Sequence, residues 1–120
     1  LMPVTSGADA PTSYSEVVIV GRMGSRVEQR ELPSGDAVTV FTLVVDRNAR
    51  DRRSPRGARV DAIPCQTFRL PIARRLESLA EGDWVKVQGQ LRRRFWRAGA
   101  GLGSATEVDV QRLDRVRVRP

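Results

Sequence analysis

The sequence predicts an all-β fold: a small barrel of five strands with one helix between the third strand and the fourth. Three observations carry this. Segments rich in β-branched residues recur along the chain, separated by glycine and proline. Only the stretch opened by Pro71 has helical spacing. The length, 120 residues, suits one compact domain, which buries roughly two thirds of the surface its unfolded chain would expose.

Residues 1–15 are polar and rich in small residues, with Pro3, Gly7 and Pro11, and read as a flexible leader. The domain proper spans 16–113. Val17-Val18-Ile19-Val20 opens the first strand, and Gly21 and Gly24 allow a bend or bulge before Val27 to Leu32. Pro33-Ser34-Gly35-Asp36 is a turn signal. Ala37 to Val45 follows as a strand with Thr39, Phe41, Leu43 and Val45 on one face and Val38, Val40, Thr42 and Val44 on the other. Both faces are apolar, which suggests burial in a barrel on one side and at a subunit contact on the other.

Arg47 to Arg59 is a cationic connection, with Pro55 and Gly57 breaking any strand. Ala62 to Arg69 resumes β-character, with Pro64 marking a bulge or an edge. In the helix, Ile72, Leu76, Leu79 and Ala80 recur at helical spacing, and Gly82 is placed as its C-terminal stop. Trp84 to Arg97 returns to period two, 98–103 reads as a flexible glycine-rich loop, and Thr106 to Leu113 is the last barrel strand. Residues 114–120 form an extra strand or tail, given the alternation Arg115-Val116-Arg117-Val118-Arg119. Strand, strand, long connection, strand, helix, strand, strand is the order of a Greek-key OB-fold, a barrel that binds oligonucleotides. A five-stranded α+β sandwich has the same order on paper.

The formal charge is +7, from 21 Lys and Arg against 14 Asp and Glu. Lys86 is the single lysine, so arginine, suited to phosphate forks and flat rings, supplies the rest. Histidine is absent and Cys65 is the one cysteine. Cys/His zinc sites, disulfide frameworks and histidine acid–base chemistry are thereby excluded. No paired carboxylates and no nucleophile–base set stand out, so neither an enzyme nor a cofactor is expected. A lone cysteine fits a reducing cytosol. No apolar run approaches the ~18 residues of a membrane helix, and 1–15 lacks a signal-peptide pattern. The expectation is a soluble, intracellular polyanion-binding domain of the cytoplasm.

The most specific stretch is Gly89-Gln90-Leu91-Arg92-Arg93-Arg94-Phe95-Trp96-Arg97. In a strand, Arg92, Arg94 and Trp96 share a face, with Lys86, Gln88 and Gln90 before them. Val85, Val87, Leu91 and Phe95 point the other way, into the barrel; Arg93 falls on that inner face too, which puts the barrel rim there. A tryptophan carried beside two guanidinium groups is a stacking platform with phosphate clamps, worth ~1–3 kcal/mol per stacked base whatever the base. The competing reading packs Trp96 on a loop and leaves the arginines solvated. Against it, no carboxylate occurs from Lys86 to Arg97. Arg47, Arg50, Arg52, Arg53, Arg56 and Arg59 form either a cationic arm over a nucleic-acid backbone or a merely soluble loop. Phe68 is either a second stacking ring or core. Trp84 is expected to pack against the helix, and Cys65 to be a small buried apolar residue.

These segments resemble the bacterial single-stranded DNA-binding proteins. The resemblance is carried by Val17 to Gly24, Pro33-Ser34-Gly35 with Val38 and Phe41-Thr42-Leu43, Leu79 to Val85, Gly89-Gln90-Leu91-Arg92, Trp96 and Thr106-Glu107-Val108. It implies an OB-fold assembled as a homotetramer that wraps single-stranded DNA without sequence preference in replication, recombination and repair. Arg92, Arg94 and Trp96 fall on family DNA-contacting positions, and Phe68 on a stacking aromatic. Two other family tryptophan positions are Ala49 and Ala62 here, and the family's Asp-Pro after the first strand is Arg26-Val27. Fewer rings and more arginines suggest an accessory paralogue that leans on charge. The Arg115–Arg119 segment resembles the strand by which some high-GC bacterial members clamp subunits. Many members continue into a tail with an acidic tip that recruits other replication and repair proteins; the sequence stops at Pro120. Rival readings are an RNA-binding or primosomal OB-module, and an interaction paralogue that modulates the principal single-stranded DNA-binding protein.

Overall fold

The computed structural model describes residues 11–48, 57 and 59–118. Its elements are β1 (Val17–Glu31), β2 (Ala37–Asp46), β3 (Val60–Thr67), α1 (Leu70–Glu77), β4 (Trp84–Ala98) and β5 (Gly101–Arg115). The strands close in the order β1-β2-β3-β5-β4. All pairings are antiparallel except β3 with β5, a two-residue parallel contact of Cys65 with Val108 and Gln66 with Asp109. The predicted barrel and the predicted place of the helix are both found.

Alternation builds the core. Leu43 from β2, Val85 and Val87 from β4, Val108 and Val110 from β5, and Leu76 from α1 are fully buried. The helix starts at Leu70, with Pro71 in its first turn and no side-chain cap, and turns Ile72, Ala73 and Leu76 inward. Just before it, the buried Thr67 hydroxyl donates to the Val110 carbonyl at 3.0 Å and accepts from the Arg69 N–H at 3.1 Å, so burial leaves it satisfied. In β1, two extra residues lie between Met23 and Val27 where β2 advances only from Leu43 to Phe41, which is the bulge the glycines anticipate. In β2, Thr39, Phe41 and Leu43 are buried as expected. Val38, assigned to the outer face, is buried as well, while Val40, Thr42 and Val44 are half-buried.

Several sequence expectations need correction. The helix ends at Glu77 with Ser78 as its C-cap. Gly82, at φ +89°, instead turns the chain into β4, its N–H donating to the Met23 carbonyl at 2.9 Å. Pro64 causes no bulge: it faces Thr42 in an unshifted ladder and sits one residue outside the contact with β5, so the edge alternative holds. The region 98–103 is not a loop. Ala98 pairs with Gly101 across the two-residue turn Gly99-Ala100, with Gly99 at φ +59°; a first turn residue of positive φ is the geometry that matches strand twist in a tight hairpin. Beyond β5, residues 116–118 form no strand in the single chain, although the Val116 N–H donates to the Trp84 carbonyl at 2.9 Å. Arg119 and Pro120, and residues 1–10 of the leader, lie outside the described residues. The end of the leader is tied down, since the Ser15 hydroxyl accepts from the Leu91 N–H at 3.1 Å.

Candidate nucleic-acid interface

One register shift creates the feature that dominates the surface. Gln88 pairs with Arg112 but Gly89 with Val110, so Gln111 is an extra residue in β5. A β-carbon on Gly89 would collide with the Asp109 backbone, and glycine is what allows the strands to approach there. From Gly89 outward the ladder is regular to the turn. A bulge sharpens twist and bends a strand; β5 stays buried as far as Glu107, and beyond the Arg92–Glu107 pair the ladder runs on as a two-stranded ribbon whose residues are exposed or half-buried. Leu91 and Phe95, expected inside the barrel, are exposed, Phe95 at 62%. On β5 the rim lies where Arg93 marks it, since Val108 and Glu107, opposite Leu91 and Arg92, are still buried, while on β4 Leu91 is already exposed.

Direct cross-strand pairs share a face, so one side of the ribbon carries Arg92, Arg94, Trp96, Gly103, Ala105 and Glu107. Trp96 is 42% exposed, and the Arg94 guanidinium carbon lies 5.0 Å from its ring centroid. The indole leans across to β5: a β-carbon built on Gly103 would lie 2.5 Å from it. Here the charge argument from sequence fails. Arg94 Nε is 2.6 Å from Glu107 Oε1 and Arg92 Nε is 3.8 Å from Asp109 Oδ2. The stretch from Lys86 to Arg97 is free of carboxylates, but the strand paired with it supplies them.

This face of the ribbon borders a groove of about 270 Å³, lined by Arg94 and Glu107 together with Arg26, Glu28 and Arg30 of β1 and Pro64 of β3. Arg26 and Arg30 are candidate phosphate contacts that the sequence reading passed over. Their signal was available: Arg26, Glu28 and Arg30 alternate along one strand face.

The other predicted residues are more scattered. Lys86 is exposed on the same side of β4, but six residues from Arg92, roughly 20 Å along an extended strand. Phe68 is half exposed between β3 and α1, so it is not core. Arg47 donates from Nε and a terminal nitrogen to Asp61 Oδ1 at 2.9 and 2.7 Å, and its backbone N–H reaches the Arg59 carbonyl at 2.8 Å. It closes the base of the cationic connection and is charge-paired there. The hydrogen bond and the opposite charge hold the Asp61 carboxyl below its ordinary value and raise Arg47 above its own. Arg59 is exposed; Arg50, Arg52, Arg53 and Arg56, together with Ala49, lie outside the described residues. Trp84 is half-buried, and the Arg22 guanidinium carbon lies 5.8 Å from its ring centroid. Cys65 is buried as expected, and burial, then the nearby Glu107 charge, pushes its thiol up to about 12. Among the described residues no cluster of three or more Cys, Asp and Glu could hold a metal ion, and no helix is long and apolar enough to cross a membrane.

The sequence profile of the single-strand binding protein family matches residues 14–116, nearly the whole described chain. The chain belongs to that family. A single-stranded DNA-binding protein of Deinococcus radiodurans is 30% identical over 103 residues, covering 85% of this chain and 34% of its own length. Single-stranded DNA-binding protein A of Bacillus subtilis is 36% identical over 98 residues, covering 81% of this chain and 56% of its own. The chain thus spans about a third to just over half of these family members. Among solved structures, a Plasmodium falciparum SSB in complex with ssDNA superimposes with a TM-score of 0.71 at 21% identity, over 91% of this chain and all of that one. A mitochondrial single-stranded DNA-binding protein of S. cerevisiae gives 0.68 at 16%, over 88% of this chain and 98% of that one. At such identities the likeness establishes the fold, and the barrel of this family member is an OB-fold.

Proposed function

We propose that this chain binds single-stranded DNA without sequence preference, by stacking bases on Trp96 and holding phosphates with arginines around the groove. The observation that carries the reading is an indole held on an exposed ribbon, with Arg94 over its ring and Arg26 and Arg30 across the groove. Aromatic faces accept any base, while a basic groove follows the backbone. Arg92, Phe68 and Lys86 extend the proposed path, and Arg47, Arg50, Arg52, Arg53, Arg56 and Arg59 are its proposed cationic arm. The similar single-stranded DNA-binding proteins and the DNA-bound relative support the same reading. Work in replication, recombination and repair, in the cytoplasm and without catalysis, is the role proposed for the protein.

Self-association belongs to this reading. Val18 and Val20 of β1 are exposed, and Val40, Thr42 and Val44 only half-buried, leaving apolar sheet surface that a homotetramer would cover. Filter binding against single-stranded DNA, duplex DNA and RNA of equal length tests the main claim. Retention of the single-stranded DNA at the lowest protein concentration is expected. Preference for RNA would favour the RNA-binding alternative, and poor retention of all three an interaction paralogue.

A further inference from the structure

We propose that the back of the β4–β5 ribbon, built on Phe95, Arg93 and Arg97, is a second contact surface for single-stranded nucleic acid. The inference rests on the reading of Trp96 as the first. Cross-strand register puts Leu91, Arg93, Phe95 and Arg97 on the face opposite Trp96, against Leu102, Ser104 and Thr106 of β5. The motif of the groove face is repeated there: Arg93 lies 5.5 Å from the Phe95 ring centroid, as Arg94 lies 5.0 Å from that of Trp96.

The two faces differ in charge. On the groove side both arginines face carboxylates, Arg92 with Asp109 and Arg94 with Glu107. On the back, Arg93 donates to hydroxyls, Thr106 Oγ1 at 3.2 Å and Ser104 Oγ at 3.1 Å, and Arg97 has no ion pair among the described residues. Hydroxyls orient a guanidinium without neutralising it. A phosphate approaching the groove side competes with two carboxylates, whereas on the back it meets two cations with no carboxylate partner among the described residues.

Leu91, Phe95 and Leu102 are all exposed on this side, and an apolar protein partner would also cover them. The arginines decide against it. An apolar cover would bury both guanidinium groups beside Phe95, which have no carboxylate partner among the described residues, and burying an unpaired charge is costly. A ring flanked by two such cations instead fits a strand of bases and phosphates. A strand passing over the Gly99-Ala100 turn can then contact both faces of the ribbon.

The test uses Phe95→Ala and Arg93→Gln, each in a Trp84→Phe background that leaves Trp96 as the sole tryptophan. Anisotropy of a labelled oligo(dT) several times longer than the roughly 4–16 nucleotides one such barrel occupies reads affinity, and Trp96 fluorescence reads the groove face. Phe95→Ala is expected to weaken binding about tenfold with quenching of Trp96 retained at saturation. Arg93→Gln, which keeps the ring, is expected to lower the salt slope by ~0.7. Unchanged affinity in both variants would overturn the inference and leave the Trp96 reading intact. Loss of Trp96 quenching or of heat resistance in Phe95→Ala would make Phe95 a support of the ribbon and overturn it too. A drop in the light-scattering mass of Phe95→Ala would assign the face to a second copy of the chain. If the parent protein binds no DNA, the proposed function fails first.

Discussion

Arg94 and Glu107 meet at 2.6 Å, with the arginine half exposed over Trp96 and the carboxylate almost wholly buried beneath it. Solvent screens the arginine, so the pair adds little to stability. Its effect is on binding, because the carboxylate occupies a guanidinium otherwise available to phosphate. Glu107→Gln keeps the side chain's shape and removes the charge. Affinity for oligo(dT) at low salt should rise a few-fold, and the log–log salt slope should steepen by ~0.7, the increment for one more phosphate neutralised on a single strand. An anisotropy titration across a sodium chloride series checks this. Weaker binding would mean that Glu107 chiefly positions Arg94.

Gly103 leaves the space that the Trp96 indole occupies. A β-carbon would lie 2.5 Å from the ring, and an indole cannot bend away as a flexible chain can. Gly103→Val should therefore displace Trp96 and weaken binding to oligo(dT) about as much as Trp96→Ala, by ~1–3 kcal/mol. Both sites are on the ribbon, so melting temperatures should change little. A Gly103→Val variant that binds like the parent would show that the indole's resting position is immaterial.

The barrel was legible because alternation and turn chemistry are local signals. Val85, Val87, Val108 and Val110 turn inward where period two puts them, and Pro71 opens the helix. Leu91 and Phe95 continued the same period yet are exposed, since periodicity does not say where a strand leaves the core. That is decided by the single extra residue Gln111 on the partner strand. The site was half legible for a related reason. Arg92, Arg94 and Trp96 do share a face, but Glu107 and Asp109 reach it through cross-strand pairing with residues more than ten positions away in sequence. The 98–103 stretch looked loose because three glycines dominate its composition; Gly99 serves the turn, while Gly103 is paired opposite Trp96.

Cys65 should be inert in the folded protein. Its thiol is held near 12, against the ordinary value of 9.0, and at pH 8 its thiolate fraction falls roughly a thousandfold below that of a free thiol. Iodoacetamide labelling followed by mass spectrometry should give no adduct until denaturant unfolds the chain. Ready labelling of the native protein would contradict the burial.

The Arg47–Asp61 pair closes the cationic connection and has a definite pH signature. Asp61 titrates below its unfolded value, so its contribution is present above the ordinary carboxylate range and is lost as pH falls through the lowered folded value. Carboxyl-carbon NMR should find Asp61 titrating below the ordinary aspartate value. Asp61→Asn should abolish the pairing and release the Arg47 charge, raising low-salt affinity for oligo(dT). An ordinary Asp61 titration would mean the pair does not persist in solution.

The account turns on Trp96 as a base-stacking residue on an exposed ribbon. In Trp84→Phe, Trp96 is the only remaining tryptophan, so its fluorescence during an oligo(dT) titration reports that ring alone. Strong, saturable quenching is predicted, with an affinity that weakens steeply as sodium chloride is raised. Binding that leaves this fluorescence unchanged would contradict it.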